Sequence, residues 1–150
     1  MNIGSCMKRK VVSISTDTSI GAAAALVVEK HVGILPVIDE NGKPVGILRM
    51  DDLLSLELPD FVHLVSDLDF VHDFGAVETT RPDRDTLNQP VISLMKPIQS
   101  IDEKCGLLRA YVRMLQDGLY DLPVVDASGK LVGIVSRVDI GTAILSLWRK

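Results

Sequence analysis

Two aspartates, Asp52 and Asp139, occupy the positions in this 150-residue chain that are best suited to specific chemistry. Each ends a short string that begins with glycine, GILRMDD for Asp52 and GIVSRVD for Asp139, where an apolar run gives way to a helical pattern. A carboxylate at such a point can accept hydrogen bonds from the free amides of the first helical turn. The residue pattern alone therefore favours a helix-capping role for both aspartates.

The sequence lacks the residue groupings that enzymes use. It contains no convincing Ser-His-Asp order, no nucleophile elbow and no phosphate-cradling glycine loop. Cys6 and Cys105 have no recognisable metal or redox spacing. His31, in the string EKHVG, is predicted to end a helix, where the helix dipole favours it. We expect no catalytic residue and no enzymatic activity.

Histidines and aspartates between residues 57 and 90 are candidate metal ligands, but they lack a recognised ligand spacing. A polar face of a helix that starts at about Pro59 is the better explanation of these residues, so no metal site is predicted. The residues concerned are His63, Asp67, Asp69, His72 and Asp73.

Composition and charge narrow the classes of partner. The formal net charge of −4 argues against a nucleic-acid partner, and the short basic run at 8–10 is typical of a solvated terminus. The longest apolar stretch, 21–28, is far shorter than the roughly 20 residues that span a bilayer. No signal peptide is recognisable at the N-terminus. We expect a cytoplasmic protein that binds neither membranes nor nucleic acids.

The sequence elements that must position the two aspartates occur twice in the chain. The string LPVIDENGKPVGILRMDD at 35–52 corresponds to LPVVDASGKLVGIVSRVD at 122–139 without a gap, at an offset of 123 − 36 = 87 residues. After a slip of one residue, Ile3 and Met7 correspond to Val91 and Met95. Such self-similarity indicates two supersecondary units that complete their cores against each other.

Each copy is predicted to be strand, helix, strand, strand, helix. Residues 19–29 are rich in alanine and follow Thr16, Asp17 and Thr18, any of which can cap a helix. The strings LPVID and PVGIL are short β-branched runs joined by a turn at Asn41 and Gly42. Helical patterns resume at 50–56 and 138–147.

This order of elements and the duplicated string resemble the cystathionine-β-synthase (CBS) domain family. The resemblance implies an α/β fold in which two CBS repeats pack as a pseudo-twofold pair. It predicts a first repeat at 1–56, an inter-repeat insertion at 57–90 and a second repeat at 91–150.

The resemblance also implies a ligand site at the aspartates. In family members the motif aspartate binds the two ribose hydroxyls of an adenosine compound, in a cleft between repeats. Carried over, Asp139 and Ser136 face Val32, Gly33 and Ile34, with Arg137 as a candidate phosphate ligand. A second cleft comprises Asp52, Arg49, Leu119 and Tyr120. Arg49 replaces the family's Ser or Thr, and Asp121 adds a negative charge, so the Asp139 cleft is predicted to be the better site.

Two functions remain open. The first is a regulatory module that senses AMP, ADP, ATP, S-adenosylmethionine or a related compound, and that acts on an unidentified protein. The alternative is a protein-interaction scaffold without a ligand. In either case the resemblance implies a disc-like homodimer and no cofactor. Its predicted contact contains Val138, Ile140, Ala143, Ile144 and Leu147.

Overall fold

The computed structural model describes residues 1–57 and 81–149. The described chain contains five α-helices and six strands. The helices are α1 (Ile20–Lys30), α2 (Met50–Leu54), α3 (Arg84–Asn88), α4 (Leu107–Gln116) and α5 (Arg137–Ser146). The strands are β1 (Ile14–Ser15), β2 (Ile34–Ile38), β3 (Pro44–Arg49), β4 (Ile101–Asp102), β5 (Asp121–Val125) and β6 (Leu131–Ser136). Short 3₁₀ helices lie at Ile3–Ser5, Val91–Ser93 and Leu147–Arg149.

Each repeat forms a three-stranded sheet, so the predicted α/β class and two-repeat arrangement are confirmed. β1 runs parallel to β2, and β2 runs antiparallel to β3; β4, β5 and β6 repeat this arrangement. The hairpins turn at Gly42 and Gly129, whose φ angles of 79° and 86° lie in a region that glycine adopts without strain. The register is also repeated: Ile34 pairs with Arg49, and Asp121 pairs with Ser136.

The predicted helices form close to their expected limits. Ser19, which was not among the predicted caps, begins α1 by accepting a 3.1 Å hydrogen bond from the amide of Ala22. Thr18 and Asp17 instead hydrogen-bond with the hydroxyl of Ser15. His31 ends α1 in the left-handed conformation, with φ of 55°. The helix predicted from about Pro59 lies outside the described residues.

The segments that lead into the two repeats are exchanged. The first, residues 2–8, hydrogen-bonds to the second repeat: the amide of Lys8 donates to the carbonyl oxygen of Ile134 at 2.8 Å, and Ile134 donates back at 2.9 Å. The second, residues 90–96, pairs with the first repeat through Lys96 and Ile47, at 2.8 and 3.0 Å. We call these stretches the leading segments.

Glycine at the third position of each PVGI or LVGI string permits this crossing. A Cβ atom on Gly133 would lie 2.7 Å from the sulphur of Met7 and 2.8 Å from the carbonyl oxygen of Lys8. On Gly46 it would lie 2.6 Å from the sulphur of Met95. No real Cβ atom tolerates such distances, so these glycines are required by the close approach of the leading segments.

The hydrophobic cores of the two repeats also contain the exchanged leading segments. Ile3 and Met7 are buried with Leu122, Val135 and other side chains of the second repeat. Val91 is buried with Ile14, Leu35 and Leu48 of the first repeat. Each core therefore needs a segment that belongs, in sequence, to the other copy.

One predicted dimer residue also lies in these cores. Ile140 is fully buried in the core of the second repeat, because its position on α5 points towards the sheet, so it does not line an outer surface. Ala143 and Ile144 pack partly against the same core. Within residues 1–57 and 81–149, no helix has the length and apolar character needed to cross a bilayer.

Candidate functional site

Asp139 and Ser136 cap the start of α5. The backbone amide of Ser136 donates to Oδ2 of Asp139 at 2.9 Å, and the amide of Asp139 donates to Oγ of Ser136 at 3.1 Å. This reciprocal arrangement satisfies two amides that the first helical turn would otherwise leave free. The capping role that the residue pattern favoured is thus present at Asp139.

Asp52 occupies the equivalent position at the start of α2. Its Oδ2 accepts a 2.9 Å hydrogen bond from the backbone amide of Arg49. The hydroxyl of Ser136 has no equivalent here, because Arg49 carries no side-chain acceptor. The first repeat therefore keeps only half of the reciprocal cap.

The side chain of Lys8, which was not among the predicted site residues, forms an ion pair with Asp139. The ammonium group of Lys8 donates to Oδ1 at 3.0 Å and to Oδ2 at 3.2 Å. The Asp139 side chain is 14% exposed, whereas that of Lys8 is 65% exposed. Burial acts to raise the pKa of the Asp139 carboxyl, but hydrogen bonds from Ser136 and Lys8 outweigh it and lower this pKa below its ordinary value.

Lys8 belongs to the basic run at 8–10, for which the sequence alone predicts a solvated terminus. Its contact with Asp139 joins residues 131 positions apart. One sequence signal could have identified Lys8. The alignment of Met7 with Met95 places Lys8 directly after a residue that both copies share. Side-chain pairing at this range becomes visible only once the leading segment is placed on β6.

The two repeats are joined by Arg49, at the end of β3, and Asp121, at the start of β5. The guanidinium of Arg49 forms an ion pair with the carboxylate of Asp121, and its Nη2 donates to the Asp121 carbonyl oxygen at 3.3 Å. Both side chains are about a quarter exposed, with values of 27% and 25%. An ion pair of this kind is shielded partly from solvent and fixes the two strand ends relative to each other.

Repeat symmetry gives this ion pair an uncharged counterpart. At the offset of 87 residues, Arg49 corresponds to Ser136 and Asp121 corresponds to Ile34. Serine and isoleucine cannot form an ion pair. The two related clefts therefore differ in charge and in side-chain volume.

Arg137 is held by its own repeat. Its Nη2 donates to the carbonyl oxygen of Met114 at 3.1 Å, its Nε donates to that of Leu119, and its guanidinium lies 4.3 Å from the ring centroid of Tyr120. The two hydrogen bonds go to a carbonyl group in the last turn of α4 and to one just after that helix. The structure thus gives the candidate phosphate ligand three structural partners.

The residues predicted to face Asp139, Val32, Gly33 and Ile34, lie at the start of β2 and just before it. Val32 packs partly against the first core, and Ile34 is 7% exposed. Gly33 accepts a 3.0 Å hydrogen bond from the amide of Met50, and a Cβ atom built on Gly33 would meet only open space. In the other cleft, the carbonyl oxygen of Tyr120 accepts the equivalent bond from Arg137, and the Tyr120 side chain is 71% exposed.

Two further depressions lie beside β1 and β4, at equivalent places in the repeats. The one beside β4 carries cationic side chains, and the one beside β1 carries carboxylates and hydroxyls. Their charged residues are Lys104, Arg109, Arg113 and Asp102 in the first case, and Asp17, Asp39 and Glu40 in the second. Neither depression contains Asp52 or Asp139.

Metal-ligand groupings are absent from the described part of the chain, where no three His, Cys, Asp or Glu side chains are arranged to hold an ion. The candidates His63, Asp67, Asp69, His72 and Asp73 lie outside the described residues.

Comparison with known proteins gives one consistent result. A family model described as CBS domain matches residues 3–58 and again 91–146. The chain is similar to the CBS domain-containing protein CBSX2, chloroplastic, of Arabidopsis thaliana, with 33% identity over 144 residues, covering 91% of this chain and 60% of that protein. CBSX1 of the same plant is 31% identical over 141 residues, with the same shares. The chain thus spans about 60% of the length of these curated relatives.

Solved structures of similar fold also include CBS-pair proteins. The crystal structure of CBSX2 in complex with AMP is 31% identical to this chain, with a TM-score of 0.74, and the likeness covers 99% of this chain and 98% of that one. MJ1225 of Methanocaldococcus jannaschii, titled a putative archaeal homolog of g-AMPK, has a TM-score of 0.75 over 98% of this chain and 51% of that one. At 21% identity, the second likeness concerns the fold alone.

Proposed function

This chain belongs to the CBS domain family, and we propose that it is a regulatory module that binds an adenine nucleotide between its two repeats. The observation that carries the proposal is the retention of Asp139 and Ser136 at the start of α5, in a chain that resembles CBSX2, solved with AMP, along nearly its full length. No catalytic activity is assigned to the module itself. AMP is the ligand to test first, and ADP, ATP and S-adenosylmethionine follow as competitors.

The hydrogen-bond partners of Asp139 leave a place for a ribose. Oδ2 already accepts a hydrogen bond from the amide of Ser136, whereas within the described residues the only partner of Oδ1 is the solvent-exposed ammonium of Lys8. A carboxylate oxygen has two lone pairs, so Oδ1 can accept a ribose hydroxyl. The positive end of the dipole of the ten-residue helix α5 favours an anionic group nearby.

The opposite wall of the proposed site is formed by Val32, Gly33 and Ile34. The open space at Gly33 allows the adenine ring to approach backbone groups closely. Arg137 is not included among the phosphate ligands, because its guanidinium is engaged by Met114, Leu119 and Tyr120.

The related cleft at Asp52 is proposed to stay empty. The Arg49–Asp121 ion pair occupies the position where the other cleft has Ser136 and Ile34, and a ligand would have to break it. Tyr120 and Leu119, which line this cleft by symmetry, remain contacts of Arg137. We therefore infer one nucleotide per chain.

A homodimer is part of the proposal. Large apolar side chains at the outer side of α5 and the helix that follows it stay exposed, with Val138 at 74% and Trp148 at 76%. Leu145 and Leu147 are half exposed beside them. Light scattering at micromolar concentration checks this assembly, and Val138→Asp with Trp148→Glu should convert a dimer to a monomer.

The scaffold alternative has one observation in its favour, namely that both oxygens of Asp139 are engaged without any ligand. Titration calorimetry with AMP separates the two functions. Saturable binding near one AMP per chain supports the sensor, whereas absence of binding by AMP, ADP, ATP and S-adenosylmethionine leaves the scaffold. Mass spectrometry of small molecules that copurify with the native protein identifies the physiological ligand.

A further inference from the structure

The ammonium group of Lys8 and a ribose would compete for the same carboxylate. Lys8 donates to both oxygens of Asp139, at 3.0 and 3.2 Å. Among the described residues, Oδ1 has no other hydrogen-bond partner. An ionised carboxylate has about four acceptor positions, and the amide of Ser136 and the ammonium of Lys8 use three of them, so the two hydroxyls of a ribose fit only after the ammonium has moved.

The backbone of Lys8 is fixed, but its side chain is not. Two hydrogen bonds between the main chains of Lys8 and Ile134, at 2.8 and 2.9 Å, hold the Cα atom beside β6. The side chain is 65% exposed, so the ammonium can leave Asp139 for solvent without being buried elsewhere. Lys8 thus remains within reach of the site after it releases the carboxylate.

The cost of releasing Lys8 depends on the ligand. A neutral nucleoside displaces the ammonium from Asp139 and offers no anion in return. A nucleotide brings a phosphate, with which the displaced ammonium can form a new ion pair, and hydrogen bonds between charged groups are the stronger kind. The same lysine therefore disfavours the nucleoside and favours the nucleotide.

We propose that Lys8 is the residue that makes this site specific for phosphorylated nucleosides, by exchanging the Asp139 carboxylate for the ligand phosphate when the ligand binds. This inference rests on the proposed function. It assigns the phosphate contact to the first leading segment, at the beginning of the chain, and not to Arg137.

Calorimetric titration of the full chain with AMP and with adenosine tests the exchange. The readout is the ratio of the two dissociation constants, because a general change in folding moves both constants together. Lys8→Met should bind adenosine more tightly and AMP more weakly than the original protein. We expect the preference for AMP to fall by roughly two- to fivefold, which is the scale of a largely exposed ion pair. Lys8→Arg should keep the preference, since it retains the charge.

Lys96 supplies a matched control. It is the last residue of the second leading segment, as Lys8 is of the first, and it forms main-chain hydrogen bonds of 2.8 and 3.0 Å with Ile47. Among the described residues Lys96 forms no ion pair. Lys96→Met removes one positive charge from the protein, as Lys8→Met does, and should leave the ratio unchanged.

The outcomes separate this inference from the proposed function. If AMP binds the original protein and not Asp139→Ala, while Lys8→Met keeps the original ratio, the site stands and the role of Lys8 is wrong. An equal fall of the ratio in Lys8→Met and Lys96→Met also overturns it, because general electrostatics then explains the preference. If neither AMP nor adenosine binds the original protein, both the site and the exchange are rejected.

Discussion

Arg49 at the end of β3 and Asp121 at the start of β5 form an ion pair that joins the two repeats, and it spans 72 residues of sequence. Repeat symmetry relates these residues to Ser136 and Ile34, which carry no charge. One internal cleft of the pair is thus bridged by charges, and the other is not. The asymmetry leads to a direct prediction about stoichiometry.

The double variant Arg49→Ser with Asp121→Ile should bind a second AMP. This variant gives the Asp52 cleft the serine and isoleucine that the Asp139 cleft has. It also removes the charges of Arg49 and Asp121 together, so that neither charge is left without a partner. Isothermal titration should show the number of AMP molecules per chain rising from one towards two. Arg49→Ser alone should instead destabilise the fold by about 1 to 2 kcal/mol, because Asp121 loses its partner. A double variant that still binds one AMP would show that the ion pair does not decide the empty site.

Asp139→Ala should abolish the stabilisation that AMP provides. At about 100 times its dissociation constant, AMP should raise the free energy of unfolding of the original protein by roughly 2.7 kcal/mol. Without ligand, the variant should lose only about 1 kcal/mol, the usual cost of a lost helix cap. Denaturant unfolding with and without AMP measures both quantities.

Asp52→Ala is the control for that experiment. Asp52 also accepts the amide three residues before it, so its loss removes a similar cap from α2. The Asp52 variant should keep the AMP effect in full. Equal loss of the effect in both variants would mean that the cap, and not the ribose contact, explains the result.

Acid should remove the stabilisation that Asp139 provides. Burial raises the pKa of this carboxyl, but hydrogen bonds from Ser136 and Lys8 lower the pKa by a larger amount. The folded-state pKa therefore lies below the ordinary value of 3.8. A lowered pKa means that the stabilisation is complete above 3.8 and is lost as the pH falls through the folded-state pKa. The neighbouring Cys6 thiol has its pKa raised by burial and by the charge of Asp139, so it stays neutral throughout this range.

The measurement compares the original protein with Asp139→Asn in urea from pH 7 to pH 2.5. The difference in free energy of unfolding should be constant at the upper end and should shrink below 3.8. A difference that stays constant to the lowest pH would contradict an ionised, hydrogen-bonded Asp139.

Gly133→Ala should destabilise the protein by about 1 to 3 kcal/mol, the usual cost of forcing an extra group into a packed core. The added methyl would lie 2.8 Å from the backbone oxygen of Lys8, which cannot move without breaking the pairing of the leading segment with β6. Thermal unfolding followed by circular dichroism measures the loss.

Gly141→Ala provides the comparison. Gly141 lies inside α5, and a Cβ atom there would meet nothing within 4 Å. This substitution should stabilise the protein by roughly 0.5 to 1 kcal/mol, because glycine is a poor helix former. If the two variants changed stability alike, close approach of the leading segment would not be the reason for Gly133.

The sequence by itself determined the repeat, the family and the order of the elements. Alternating apolar residues, the turn at Gly42 and the helical strings express local preferences of the backbone, and these survive folding unchanged. The capping position of Asp139 was predictable for the same reason, because Ser136 lies only three residues before it. Ser19 was not predicted to cap α1, because several neighbouring residues were equally good candidates for the cap.

The tertiary structure alone decided which side chains meet. Exchange of the leading segments carries Lys8 to Asp139, and packing of the repeats carries Arg49 to Asp121. Arg137, adjacent to the motif serine, instead hydrogen-bonds to the carbonyl groups of Met114, at the end of α4, and Leu119, just after it. The free energy of such contacts depends on distance and burial in the packed molecule, and neither quantity is fixed by the spacing of residues along the chain.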